Sequence, residues 1–299
     1  MRSSTRYAAL RYSPAQPVYR RRAARRLTVL CYHGVDDAAR FSQHLAHLAR
    51  NFAPVSLADV EAAVLDGRPL PRGALLITFD DGERSVLEIA GPMMRRRGIP
   101  GVAFVIGGLL DTDRPFWWRE AEHLARAGGT TRVAGGPPGE LVQALKRVPN
   151  ARRLAALDDL RATAATPAPP MPQLRREELP ELEALGITVA SHTQTHPCLD
   201  RCDDEEIERE LAQCRATVSE ALGRDDHVLA YPNGDWDERV LAAARRTGFR
   251  LGFQLGGRAV RLGPGAPPLE PLALHRVTVD STAGVDRVAV LASGLLPSA

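Results

Sequence analysis

Two adjacent carboxylates, Asp80 and Asp81, close a continuous apolar run, 74–79, within Thr78-Phe79-Asp80-Asp81-Gly82. Neighbouring residues at a strand end point in different directions, so one carboxylate can bind a cation while the other stays free as a general base. Taken alone, Asp-Asp-Gly is equally ordinary turn chemistry. About 110 residues later His192-Thr193-Gln194-Thr195-His196 follows another short apolar run. An i, i+4 histidine pair on one helical turn can converge on a single ion, although exposed histidines at a helix start before Pro197 would read the same way. Asp81, arriving from another strand end, completes an open set of two histidines and one acid that suits zinc or a similar divalent metal and leaves room for water and substrate. A third segment, Ala230-Tyr231-Pro232-Asn233-Gly234-Asp235-Trp236, also follows an apolar run. Its Pro232 and Gly234 make a tight turn that could leave the Tyr231 backbone N–H free to face a ligand; a plain strand-to-helix turn is the competing reading.

Stepwise alternation of strand-like and helix-like segments has to bring these groups together. Buried strands are expected at 27–31, 74–79, 101–106, 188–190, 228–231, 251–254 and 274–279. Helices are expected at 38–51, 85–97, 177–185, 203–222 and 237–247, and a Gly/Pro-rich loop separates the last two strands. This rhythm implies an α/β fold with a parallel sheet closed, or nearly closed, into a barrel, whose strand ends carry the chemistry. It breaks over 109–172, where Phe116-Trp117-Trp118, two helical stretches near 120–127 and 139–165, and a proline cluster at 167–172 read as a helical insertion. Trp117 or Trp118 is expected at the cleft rim, with core packing as the alternative, and Trp236 is expected as a cleft wall.

At 299 residues, with 44% apolar and 25% charged residues, the chain can bury a sizeable single core, and disordered and fibrous classes are excluded. Residues 1–26 hold eight arginines and no acid, which is +8 in a chain of net charge +3, so the remainder carries −5. The mildly acidic body argues against a nucleic-acid partner, and 1–26 is expected as a basic, disordered extension before a catalytic domain at 27–299. Lys146 is the one lysine among 39 basic residues, a bias of composition. No apolar run approaches the ~20 residues of a membrane span and no secretory h-region is seen, so an integral membrane segment is not expected and a cytoplasmic location is. Cys31, Cys198, Cys202 and Cys214 form no CxxC pair and are expected as free thiols. A closed structural zinc site from His192, His196, Cys198 and Cys202 is the sharper alternative, but it would leave Asp80 and Asp81 unexplained.

The ordered combination of TFDDG, HTQTH and AYPNG, each after an expected strand, resembles the NodB-type polysaccharide deacetylases, carbohydrate esterase family 4. The resemblance runs from about residue 27 to the C-terminus, excluding the insertion. It implies a distorted (β/α) barrel and metal-dependent hydrolysis of acetyl groups on sugars. By the same resemblance Asp81, His192 and His196 are the metal ligands of a divalent ion, Zn2+ by preference. Asp80 is the general base, the Tyr231 N–H completes an oxyanion site, and Pro232, Asn233 and Trp236 lie against the substrate. The chain departs from the family at Ala230, where many members carry an arginine that orients the base. Two histidines compete for the general-acid role. His275 lies in a C-terminal Leu-x-x-His, and His33 in a Tyr-His like that of the biofilm poly-N-acetylglucosamine deacetylases, whose Tyr-Pro-Asn-Gly turn this chain shares; His33 is preferred.

The expected partner is an N-acetylated glycan, with oligomeric state left open. Hydrolysis of a non-carbohydrate amide and a catalytically impaired glycan-binding protein are the alternatives, the second suggested by the missing arginine. Phosphoryl transfer on an aspartate is disfavoured, since Gly82 stands where such sites want an acid and Lys146 lies in the insertion.

Overall fold

The apolar runs emerge as parallel strands. The computed structural model describes residues 2–257, 259–262 and 268–295. Its strands are β1 (Thr28–Tyr32), β2 (Ala53–Pro54), β3 (Ala74–Phe79), β4 (Gly101–Val105), β5 (Ile187–Ser191), β6 (Val228–Ala230), β7 (Leu251–Leu255) and β8 (Leu274–Thr278). They hydrogen-bond in the order β1-β3-β4-β5-β6-β7-β8, and β8 returns to β1, so seven parallel strands close a barrel; the short β2 pairs with the start of β3. The ring is uneven. Five residue pairs join β4 to β5, whereas β5 meets β6 through the pair Ser191 and Leu229. Part of the Gly/Pro-rich loop expected between β7 and β8 lies outside the described residues.

Period-two alternation divides each strand between two cores. Val29, Leu76, Phe104, Ala190, Ala230, Phe253 and Leu274 fill the barrel interior. Their neighbours Leu30, Leu75, Ile77, Val105 and Val189 point outward into a second cluster with Leu45 and Leu48 of the helix Ala38–Asn51, Val218 of the helix Asp204–Leu222 and Val288 of the helix Val285–Ala292. Because both faces are covered, every residue of β1, β3 and β4 is buried, which is why these strands read as unbroken apolar runs.

Several elements depart from the pattern expected of the sequence. The stretch 85–97 begins as a wide π turn, Val86–Ala90, and becomes α-helical only at Gly91–Arg95, with Pro92 in its first turn. The helix Leu57–Leu65 was not expected; a capping box of Ser56 and Asp59 starts it. The single helix expected over 139–165 is two, Pro138–Leu145 and Asn150–Thr163, because Pro149 precedes the second. With Trp117–Arg126 these helices enclose their own apolar cluster, including Trp117, Leu124, Leu145, Leu157 and Leu160.

Residues 1–26, expected as a disordered arm, instead form two helices, Arg2–Arg11 and Ala15–Ala23. They lie on the helix Val285–Ala292 through Arg11 to Asp286 at 2.5 Å and Gln16 Nε2 to the Ala289 carbonyl at 3.3 Å. The charge run alone gives no hint of this, since the surface that holds it comes from the other end of the chain.

Leu76→Ala, which empties a fully buried position inside the barrel, should cost about 2–5 kcal/mol. A urea titration would show this as a lower midpoint at unchanged slope. Val18→Ala, at an exposed position on the N-terminal helices, should stay within about 0.5 kcal/mol of the parent.

Candidate active site

In a parallel barrel all strands end at one rim, and TFDDG, HTQTH and AYPNG leave it from β3, β5 and β6. Asp80 continues the inward parity of Leu76 and Thr78, and its N–H donates to the Tyr32 carbonyl at the end of β1 (2.9 Å). Asp81 then takes a left-handed backbone, φ 72°, which turns its carboxylate toward the histidine loop. Gly82 follows at φ 74° against Val105, where a side chain would be both strained and crowded.

The two histidines do not sit on a helical turn, contrary to expectation; residues 192–198 form a loop. Left-handed backbone at Thr193 (φ 65°) and His196 (φ 57°) folds it back on itself. The Thr193 hydroxyl accepts the His196 N–H (3.1 Å), and Glu210 takes both the N–H and the hydroxyl of Thr195 (2.7 and 2.5 Å). Such conformations cost roughly 1–3 kcal/mol each and persist where surrounding bonds over-determine them. The result is convergence. Asp81 Oδ1 lies 3.4 Å from His192 Nε2 and 3.3 Å from His196 Nε2. Three ligands about 2.1 Å from a tetrahedral ion would stand about 3.4 Å apart, so the donor set fits zinc or a similar divalent metal. Asp81 Oδ1 is buried with no hydrogen-bond partner, as a ligand atom would be.

The electrostatics of the three groups differ: burial lowers His192, but Asp80 and Asp81 outweigh it and hold the ring above its ordinary range. Burial alone would push the Asp81 carboxyl up, but the two imidazoles beside it hold it well below the usual range. Burial lowers His196 to about 4, which keeps its ring neutral and able to donate a lone pair. His192 Nδ1 lies 2.7 Å from the Ala230 carbonyl and donates to it, fixing the tautomer that turns Nε2 toward Asp81.

Asp80 is held by a residue that sequence reasoning missed. Arg276 of β8, with no exposed surface, donates to Asp80 Oδ1 at 2.6 Å and to Oδ2 at 2.7 Å. It thus supplies from another strand the arginine whose absence at Ala230 had suggested impairment. The signal was available: Leu274 faces the interior, so period two sends Arg276 inward as well. The Cys31 thiol, buried on β1, donates to Asp80 Oδ2 at 3.3 Å. Burial favours a protonated Asp80, yet Arg276 and His192 outweigh it and hold the carboxyl below its ordinary range.

The same alternation turns His275 away. It is exposed on the outer side of β8, its Nδ1 3.1 Å from the Gly256 carbonyl. His33, also exposed, follows β1 at the rim that carries both aspartates. Its loop packs on the one after Asp81: a Cβ on Gly34 would meet Ser85 Oγ at 2.7 Å, and Val35 N–H donates to that hydroxyl. No hydrogen-bond partner of the His33 ring is found among the described residues.

The expectation for Tyr231 is corrected. Its N–H donates to the Phe253 carbonyl (2.9 Å) as part of the sheet, so it is not free to face a ligand, and its side chain is buried. Two residues on, Asn233 is left-handed (φ 56°), and no acceptor for its N–H is found among the described residues. Asn233 Oδ1 accepts from Lys146 (2.6 Å) and its amide donates to Cys198 Sγ (3.4 Å). Pro232 is buried beside it. Trp236 is half-buried against the cluster of Tyr231 and Leu241, its indole N–H on Gln254, rather than forming an open wall.

The insertion reaches the rim. Trp117 donates its indole N–H to the His196 carbonyl (2.9 Å), and the Trp118 ring lies 4.5 Å from that of His196. Cys198 and Cys202 are free thiols, pushed by burial up to about 11 and 12, and the Cys202 Sγ donates to the Cys198 carbonyl. Among the described residues the group able to hold a metal is Asp81, His192 and His196, without either cysteine.

Comparison with known proteins gives one family. The family model for polysaccharide deacetylase matches residues 67–252. The Bacillus subtilis protein YxkH, named for the same family, is 22% identical over 85% of this chain and 71% of its own. The Escherichia coli poly-beta-1,6-N-acetyl-D-glucosamine N-deacetylase is 29% identical over 33% of this chain, which matches 19% of that enzyme's length. Among solved structures, IcaB from Ammonifex degensii superposes with a TM-score of 0.61 at 22% identity, covering 90% of this chain and 97% of that one, a likeness of fold.

Arg276→Met leaves a buried carboxylate without its counter-ion and should cost about 3–5 kcal/mol of stability. Joining it to Asp80→Leu should return most of that loss in urea unfolding. Additive losses in the double variant would mean the two side chains are not one unit.

Proposed function

This chain belongs to the polysaccharide deacetylase family, and we propose that it hydrolyses the amide of N-acetylated sugar residues, releasing acetate and a free amine. The observation that carries this reading is the meeting of Asp81, His192 and His196 within 4.8 Å beside an Asp80 locked by a buried arginine. Asp81, His192 and His196 would hold a divalent metal, zinc by the character of the donors. What such an ion supplies is Lewis acidity, a polarised acetyl carbonyl and a water whose pKa falls toward neutrality.

The chain's own residues carry the protons. Asp80, ionised at neutral pH and aimed by Arg276 through both oxygens, accepts one from the attacking water as the new C–O bond forms. The turn after β6 offers the Asn233 N–H for the oxyanion, the role first expected of Tyr231. As the C–N bond breaks, the nitrogen must gain a proton; we assign that role to His33, exposed at the rim that carries both aspartates, and not to His275, outside the barrel. By their names, the Escherichia coli enzyme acts on poly-beta-1,6-N-acetyl-D-glucosamine and a Rhizobium leguminosarum relative, 38% identical over 22% of this chain and 31% of its own, acts on chitooligosaccharides. An N-acetylglucosamine-containing glycan is therefore the substrate class proposed. Arg276 removes the ground for reading the site as impaired.

Acetate release from poly-N-acetylglucosamine, chitin oligomers and small amides tests the reading; release from amides alone would move the substrate outside carbohydrates. His192→Ala should lose bound metal and turnover together, whereas Asp80→Asn should keep the metal and lose turnover. His33→Ala should cost about 10²–10⁴-fold in rate with metal retained, and His275→Ala should cost little. Turnover that survives a chelator and full metal depletion would overturn the proposal.

A further inference from the structure

Between the insertion and the loop of His196 lies a cavity of about 680 Å3, lined by Trp118, Arg153, Gln194, His196, Glu206 and Glu210 among others. Arg153, on the helix Asn150–Thr163, is 3% exposed, and with Arg276 it is one of two buried arginines among the described residues. The two are treated differently. Arg276 has a bidentate carboxylate, whereas Arg153 donates through Nε and Nη2 to one neutral oxygen, Asn150 Oδ1 (2.9 and 2.6 Å), and lies 4.6 Å over the Trp117 ring. It makes no ion pair among the described residues.

The acids that share the cavity wall are already engaged. Glu210 holds Thr195 with both oxygens, and Glu206 accepts from Asn150 and from the Asp203 N–H (both 3.1 Å). Glu120 is bound by two bonds from Arg161 (2.7 and 2.8 Å). Glu210 and Glu206 act on the Arg153 charge without pairing with it, so a guanidinium hydrogen-bonded to one amide and lying on a ring face keeps donors without a carboxylate partner, and its planar fork matches a carboxylate or phosphate. Two other lining residues carry buried side-chain atoms without partners, Gln194 Oε1 and His196 Nδ1. Trp118, half-buried and stacked on Phe116 at 4.8 Å, spans from the His196 ring to this cavity and offers a face for a sugar ring.

We propose that this cavity is a subsite for an anionic group carried by a sugar neighbouring the one deacetylated, with Arg153 as its anchor, so that the preferred substrate is an acidic N-acetylated glycan. This rests on the deacetylase reading above and adds the charge of the substrate to it. Arg153 binds and does not touch the reacting atoms.

Three substrates separate the cases: a neutral N-acetylglucosamine tetramer, a tetrasaccharide alternating N-acetylglucosamine with glucuronic acid, and an N-acetylglucosamine tetramer phosphorylated on the sugars next to the one deacetylated. The expected result is a KM at least tenfold lower for one of the acidic substrates than for the neutral tetramer, the carboxylate and phosphate arms telling which acid is taken. Arg153→Gln should erase that difference through KM, and Arg153→Lys should restore part of it. Equal KM for neutral and acidic substrates overturns the subsite and leaves the deacetylase reading intact. Calorimetric binding of both acidic compounds to metal-loaded Asp80→Asn, which keeps Arg153 and lacks turnover, gives a readout independent of catalysis. Absence of binding there, or binding no tighter than that of the neutral tetramer, also overturns the subsite.

Discussion

A guanidinium with no exposed surface can stay inside a barrel only where its charge is answered, and at Arg276 the answer is Asp80. The pair spans three strands. β8 supplies Arg276, β3 leads to Asp80, and β1 runs between them with Cys31 in register with Thr78 on one side and Thr278 on the other. The Thr78 hydroxyl accepts from Arg276 Nη1 (3.1 Å) and the Cys31 thiol donates to Asp80 Oδ2, so further bonds hold the pair inside the same section of the barrel. With Asp80 fixed toward the interior, the left-handed turn at Asp81 sends the next carboxylate to the histidines. One ion pair thereby sends two adjacent acids to two different partners, an arginine and a histidine pair.

The strands and the three motif loops were legible because they depend on local information. A strand buried on both faces has to be an apolar run, and a polar cluster at its end has to be at the rim. What escaped depended on partners far away in sequence. Arg276 looked like the neighbour of an interesting histidine, and only the parity of β8 shows that the arginine turns in while His275 turns out. The Tyr231 N–H looked free because the β7 carbonyl that takes it, that of Phe253, comes from a strand whose register no local pattern reveals. The N-terminal helices escaped for the same reason, since their support is the helix Val285–Ala292.

The insertion is tied to the site by two hydrogen bonds that use unusual residues. Lys146, the single lysine, reaches Asn233 in the turn after β6, and Trp117 reaches the His196 carbonyl. Both accepting residues have left-handed backbones. A helical unit with its own apolar core is rigid enough to brace two strained loops, so it acts on the chemistry through position as well as by shaping the cleft.

Strain and missing ladder collect at the same rim. Four of the five non-glycine residues with positive φ among those described, Asp81, Thr193, His196 and Asn233, lie in the three motif loops. The narrowest join of the barrel, β5 to β6, lies directly beneath them. There the His192 side chain bonds to the Ala230 carbonyl, doing for the two strands what a longer ladder would do elsewhere. A shorter ladder frees the chain ends to turn toward one another, and the helices packed on the outer faces provide the stability that the rim gives up. His192 is in consequence both a member of the Asp81–His192–His196 group and a stitch, which couples the shape of the site to the closure of the barrel.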